Sequence, residues 1–209
     1  MSSQSKTAGA EQYLPDKRDL PALRAAAAAC RGCDLWRQAT QTVFGEGPKN
    51  ARLLAVGEQP GDREDLAGHP FVGPAGRVLE DGYRRAGIDP TTVYTTNIVK
   101  HFKWGRRGNR RIHKTPARWE VIACQPWFAA ELEAVRPRLV LVLGATAGRA
   151  LLGSGFRVNA ERGRVQPGPD GVPTLATVHP SAILRARNAD RAAAMDAFVA
   201  DLEVANRAL

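Results

Sequence analysis

The run Arg110-Arg111-Ile112-His113-Lys114 sets one imidazole among cations, inside a stretch from Lys100 to Lys114 that has no Asp or Glu. A histidine so placed is a nucleophile or proton carrier held against something polyanionic. Lys100, Lys103, Arg106, Arg107, Arg110, Arg111 and Lys114 supply the charge. Each phosphate they neutralise would release counterions, so binding should weaken steeply with salt. Trp104 adds a stacking face. A solvated cationic loop is the plainer alternative, but so dense a run of one sign needs a counter-charge to become ordered.

Two other segments read as walls of the same pocket. In Gly57-Glu58-Gln59-Pro60-Gly61 the glycines admit close backbone approach, Pro60 stiffens the turn and Glu58 is the candidate carboxylate. In His179-Pro180-Ser181-Ala182-Ile183-Leu184-Arg185, His179 offers a hydrogen bond to an anionic leaving group. Leu184 could enter the space of a base turned out of a duplex, and Arg185 could hold a phosphate. Phe71 could stack on a base or fill the core. Asn97 carries a donor and an acceptor, matching the Watson–Crick edge of a pyrimidine, or caps a strand. A glycine-bracketed turn and an ordinary helix start would account for the first two segments taken singly.

Cys30 and Cys33 form a C-x2-C pair, whose spacing lets two sulfurs face one metal. His101 and Cys124 would complete a Cys3His set; otherwise Cys124 is a small core residue and the pair is incidental. Thiolates and imidazole suit zinc and iron–sulfur alike, and on residue chemistry alone zinc is preferred.

These residues need a frame. Ala51–Val56, Val93–Val99, Leu139–Leu143 and Thr174–Val178 read as strands. Leu20–Ala29, Pro74–Ala86, Arg118–Val135, a segment from Gly144 to about Leu152 and Asp190–Arg207 read as helices. Between the second strand and Pro116 the chain reads as a long basic loop, and Gly163–Pro173 as an exposed turn. Alternating strands and helices predict an α/β fold, a parallel sheet with helices on both faces. Sites in such sheets lie beyond the carboxyl ends of the strands, which is where Glu58, Asn97, Gly144 and His179 fall.

The chain has 209 residues, enough for one α/β core, and a net charge of +9, which favours a nucleic acid over an anionic membrane. A basic, Arg-rich surface serving solubility alone would carry the same charge. No run reaches the ~20 apolar residues that span a bilayer, and the N-terminal stretch lacks the apolar core of a signal peptide, so a cytoplasmic location is expected; separately, a monomer suffices for the readings below. The polar, aperiodic stretch 1–19 reads as a mobile tail ahead of a single domain, 20–209. Three cysteines do not make a disulfide framework, which needs an even count.

Taken together, the C-x2-C pair, Gly57-Glu58-Gln59-Pro60-Gly61, Pro70-Phe71-Val72-Gly73, Thr96-Asn97-Ile98-Val99-Lys100 and His179-Pro180-Ser181 resemble the uracil-DNA glycosylase superfamily. The nearest branches are the iron–sulfur (family 4) enzymes. Gln59, His101 and the Arg-Arg-Ile-His-Lys insertion resemble the UdgX-type members in particular. The resemblance runs from about Cys30 to the C-terminus and implies a glycosylase-like fold. It implies a structural 4Fe–4S cluster on Cys30, Cys33, His101 and Cys124, in place of zinc, since His101 stands where family 4 has a cysteine. It implies a uracil pocket from Gly57, Gln59, Asp62, Phe71 and Asn97, with His113, Glu58 and His179 as catalytic groups. It implies contact with uracil-containing DNA, single-stranded or duplex, through Arg110, Arg111, Lys114, Ser181, Leu184 and Arg185. Finally, it implies uracil excision followed by a lasting covalent bond from His113 to the sugar. Arg110 and Arg111 are expected to position the loop on phosphate and to lower the His113 pKa. A conventional multiple-turnover glycosylase, or a metal-stapled binding protein without catalysis, are the other readings.

Overall fold

A computed structural model describes residues 9–209. Its elements run α1 (Leu20–Ala27), β1 (Leu53–Gly57), α2 (Asp62–Ala67), α3 (Pro74–Arg85), β2 (Val93–Asn97), β3 (Trp104–Arg107), β4 (Arg110–His113), α4 (Arg118–Val135), β5 (Leu139–Leu143), α5 (Ala145–Leu151), α6 (Val158–Glu161), β6 (Val165–Pro167), β7 (Pro173–Thr177), α7 (Pro180–Arg185) and α8 (Asn188–Arg207). The main sheet has the order β2-β1-β5-β7-β6. Its first four strands are parallel; β6 adds an antiparallel edge on β7.

Two apolar layers hold this sheet. Leu54, Val56, Val140, Val142 and Ala176 face Leu23 and Ala27 of α1, Trp127 and Phe128 of α4 and Ala147 of α5. Leu53, Ala55, Leu139, Leu141, Leu143 and Leu175 face Leu79 and Tyr83 of α3 and Phe198 and Leu202 of α8. β1 and β5 are buried along their whole length, as strands covered by helices on both sides must be. The α/β architecture with helices on both faces is therefore the one expected. Among the described residues no helix is long and apolar enough to cross a membrane.

Three expectations change. The long basic loop contains a two-stranded hairpin: β3 and β4 pair antiparallel from Trp104↔His113 to Arg107↔Arg110. Its two-residue turn starts at Gly108, whose φ of 57° suits glycine at the first turn position. The Gly163–Pro173 turn includes the edge strand β6, so the sheet is mixed at one side. The expected tail is tested only from Gly9. There Ala10 is buried and its amide donates to Ala123 O of α4 at 2.7 Å, so this part is docked; residues 1–8 lie outside the described residues.

Candidate active site

The parallel crossovers bring the ends of β1, β2, β5 and β7 to one edge, where a crevice of about 920 Å³ opens. Glu58, Phe71, Asn97, His113, His179 and Arg185 all line it. Gln59, Asp62, Ser181 and Leu184 reach it as well.

Gly57 sets the floor. A Cβ there would lie 2.5 Å from Asn97 Oδ1 and 2.7 Å from Phe71 Cζ, so only glycine lets both side chains approach the strand end. Asn97 is 3% exposed, and its Oδ1 is buried with no hydrogen-bond partner. Glu58 Oε1 is in the same condition. Unpartnered buried oxygens are costly, and two lining one crevice mark it as built for a ligand that donates hydrogen bonds. Phe71 sits at φ 56°, a left-handed conformation costly for a bulky residue and typical of ligand-binding positions. Its ring stacks at 30° and 5.9 Å on the ring of His179.

His179 precedes α7 and caps it: the Ser181 amide donates to His179 Nδ1 at 3.2 Å. A nitrogen that accepts from an amide carries no proton, so the neutral ring holds its proton on Nε2. Arg185 donates to Ser181 Oγ at 2.9 Å, and that hydroxyl lies 2.8 Å from the same Nδ1. Burial, with help from Arg185 and His113, pushes the His179 pKa down to about 4, which keeps it a neutral donor.

His113 closes the crevice from the hairpin. Its Nε2 lies 3.6 Å from Glu58 Oε1, outside hydrogen-bonding range, and its side chain is 48% exposed. Its pKa is lowered chiefly by burial, against the opposing pull of Glu58 and with a further push from Arg185. The depression expected from Arg110 and Arg111 therefore comes from elsewhere.

Arg111 is not a free phosphate ligand. Its Nε donates to Asp62 Oδ1 at 2.5 Å, and its Nη1 to Asp65 Oδ2 at 2.6 Å and Thr40 Oγ1 at 3.1 Å. It also lies over the rings of Phe102 and Trp104. Asp62, expected in the uracil pocket, is thus half of a pin that holds the hairpin to α2. Gln59 is turned to a related task. Its amide nitrogen donates to Lys103 O and Lys114 O at 3.2 and 3.0 Å, and its oxygen accepts from the Lys103 amide at 3.0 Å. With donor and acceptor both engaged on the hairpin base, it has little left to read a base. Trp104 donates to Gln38 O, and Lys103 pairs with Glu120 at 2.7 Å. Lys100 is wholly buried, leaving Arg106, Arg107, Arg110 and Lys114 as the exposed cations of the segment without an ion pair among the described residues. Asp65 and Glu64, which the sequence reading passed over, brace this wall: Glu64 accepts from the Gly61 and Gly73 amides at 3.1 and 2.7 Å.

Cys30, Cys33 and Cys124 are buried, unoxidised and near one another. Each of the other two thiols adds to the rise of the Cys124 pKa, which burial takes to about 12, and Cys33 is raised to about 11. The Trp127 indole donates to Cys30 Sγ and the Lys100 amide to Cys124 Sγ. His101 is buried and its pKa falls to about 4, so it is neutral, as a ligand must be. Its Nε2 lies 2.9 Å from Thr42 Oγ1, which donates to Ala27 O, the carbonyl that the Cys30 amide also reaches. Among the described residues no three His, Cys, Asp or Glu side chains close around one ion. A four-iron cluster takes one ligand at each iron, so its ligands stand wider apart than those of a single ion. Three neighbouring thiols and a neutral imidazole fit it by donor chemistry.

A parallel-sheet α/β fold with an amide, an aromatic ring and a neutral histidine at converging strand ends belongs to the class of α/β proteins whose strand-end crevice suits a flat, hydrogen-bonding ring. The comparisons narrow this. A model of the uracil DNA glycosylase superfamily matches residues 44–203. The chain is 37% identical over 160 residues to a type-4 uracil-DNA glycosylase of Thermotoga maritima, covering 76% of this chain and 80% of that protein. With a type-4 uracil-DNA glycosylase of Pyrobaculum aerophilum it shares 34% over 174 residues, 80% and 85% of the two chains. A type-5 uracil-DNA glycosylase of the same organism is 32% identical over 151 residues, 65% and 63% of the two chains. The chain belongs to the uracil DNA glycosylase superfamily.

Proposed function

We propose that the protein excises uracil from DNA and that His113 then bonds covalently to C1′ of the sugar left behind. The observation that carries this reading is His113 across 3.6 Å from Glu58, in the same crevice as the unpartnered Asn97 Oδ1. Uracil turned out of the stack stacks on Phe71 and offers its edge to Asn97. The glycosidic C1′–N1 bond breaks with its electron pair on N1, and the Nε2–H of His179 stabilises the uracil anion. The cationic C1′ is then attacked by a ring nitrogen of His113, while Glu58 takes the proton from the Nε2 that faces it. The product is a neutral N-substituted imidazole, a poor leaving group, which makes the bond last.

The exposed cations of the hairpin, Arg106, Arg107, Arg110 and Lys114, with Arg185, meet the phosphates, and Leu184 at the rim serves as the wedge. Cys30, Cys33, His101 and Cys124 would hold a 4Fe–4S cluster, which would supply a structural staple between the end of α1, the segment after β2 and α4. Iron and acid-labile sulfide in the purified protein test that assignment.

A denaturing gel with uracil-containing single-stranded DNA tests the function. The wild type gives a shifted, heat-stable band, and His113→Ser gives none. Abasic product in excess of protein would instead make the wild type a multiple-turnover glycosylase. No product and no band would make it a binding protein. A heat-stable band from His113→Ser would remove His113 from the role.

A further inference from the structure

An ion pair with no solvent exposure lies directly behind the crevice. Lys100 Nζ and Glu131 Oε2 meet at 2.5 Å, and both side chains are 0% exposed. The three ammonium hydrogens are fully used: on Glu131, on Thr96 Oγ1 at 2.7 Å and on the main-chain carbonyl of Asn97 at 2.7 Å. Glu131 also accepts from the Gly45 amide at 3.0 Å, Tyr94 OH at 3.0 Å and Thr96 Oγ1 at 2.9 Å. A buried ion pair is a weak source of stability, since its desolvation cost rivals its attraction. Its value here is sought in what it holds still.

What it holds is one peptide plane. Asn97 ends β2, and the Asn97–Ile98 peptide is gripped on both edges: its carbonyl by Lys100 Nζ, its amide by Gly57 O at 2.9 Å. That plane fixes the Asn97 Cα–Cβ direction and with it the unpartnered Oδ1. The next amide, Val99, donates to Glu58 O at 3.0 Å, and the Lys100 amide donates to Cys124 Sγ at 3.3 Å. One residue therefore grips the base-facing strand end with its side chain and the cysteine wall with its main chain.

We infer that Lys100, neutralised by Glu131, is the positioning residue of the pocket, setting Asn97 for base recognition through the Asn97 carbonyl. The inference rests on the reading of Asn97 as the residue that meets the base. It removes Lys100 from the DNA-facing cations and makes it a determinant of rate and base selectivity that never touches substrate.

The test separates positioning from folding. Lys100→Met alone leaves the Glu131 carboxylate buried without its cation and should lower the melting temperature sharply. Lys100→Met with Glu131→Gln restores neutrality and keeps an acceptor for Gly45 and Tyr94, so its melting temperature should return towards that of the wild type. Its maximal single-turnover excision rate should still fall, on the order of 100-fold, with the half-saturating DNA concentration unchanged. Adding Asn97→Ala to the pair should cost little more, because both changes act through one group. Without turnover, NMR should show sharp Asn97 side-chain amide signals in the wild type and broadened ones in the double variant. A wild-type rate in the folded double variant, losses that multiply on adding Asn97→Ala, or unchanged Asn97 signals would each overturn the inference. A wild type that releases no uracil overturns the proposed function instead, and the NMR comparison then decides the positioning alone.

Discussion

Glu58 and His113 stand 3.6 Å apart with no hydrogen bond between them, and the proposed covalent step asks Glu58 to take the His113 proton. Glu58→Gln keeps the shape and removes the base. Single-turnover gels should show uracil released with the covalent band slowed, on the order of 100-fold; an unchanged band rate would remove Glu58 from the step. His179 makes a prediction of a different kind. Its pKa falls from 6.5 to about 4, so the folded state favours the uncharged ring. Between those values the unfolded chain binds more protons. The stabilising contribution is complete above pH 6.5 and is lost as pH falls towards 4, at up to about 1.4 kcal/mol per pH unit. Urea midpoints from pH 7 to 4 should drop less steeply in His179→Asn; parallel curves would show that other groups govern the acid limb.

Among the elements, the hairpin is what carries His113 to the crevice. The loop reading missed it: Gly108-Asn109 between two short runs is a hairpin signal, but the cations around it masked that signal. Its anchoring was not, because Gln59, Asp62 and Asp65 meet it from a segment 44 to 55 residues away. Gln59→Ala removes all three hydrogen bonds to the hairpin base. It should cost about 1–3 kcal/mol of stability and shift the products from covalent complex towards free abasic DNA, read as the ratio of the two on one gel. An unchanged ratio would mean that the Arg111 pin alone suffices. The strands of the sheet were read more easily. Leu139–Leu143 falls where expected because an unbroken apolar run flanked by Pro137 and Gly144 has no other stable fate. α2 went unread: Asp62–Ala67 is short and mostly charged, with no apolar period to announce it.

For the whole molecule, a charge of +9 favours a polyanion but does not say where it binds. Replacing Arg106, Arg107 and Arg110 by serine should lower the magnitude of the slope of log Kd against log salt by up to about 2 on single-stranded DNA, while leaving the melting temperature within about 1 °C, since exposed cations without partners add little stability. Replacing Arg111 instead should lower the melting temperature, because it leaves the buried Asp65 carboxylate without its cation. Equal effects from the two replacements would refute the division between free and internal cations.

By itself the sequence determined the strand ends and therefore the crevice. Parallel strands joined by helical crossovers have to bring their carboxyl ends to one edge, so Glu58, Asn97 and His179 converge wherever those apolar runs form a sheet. Only the tertiary structure decided which charges face the substrate. Lys100 pairs with Glu131 across 31 residues and Arg111 with Asp62 across 49. A charge is cancelled by whatever folding brings within a few ångströms of it, and local sequence carries no record of that distance.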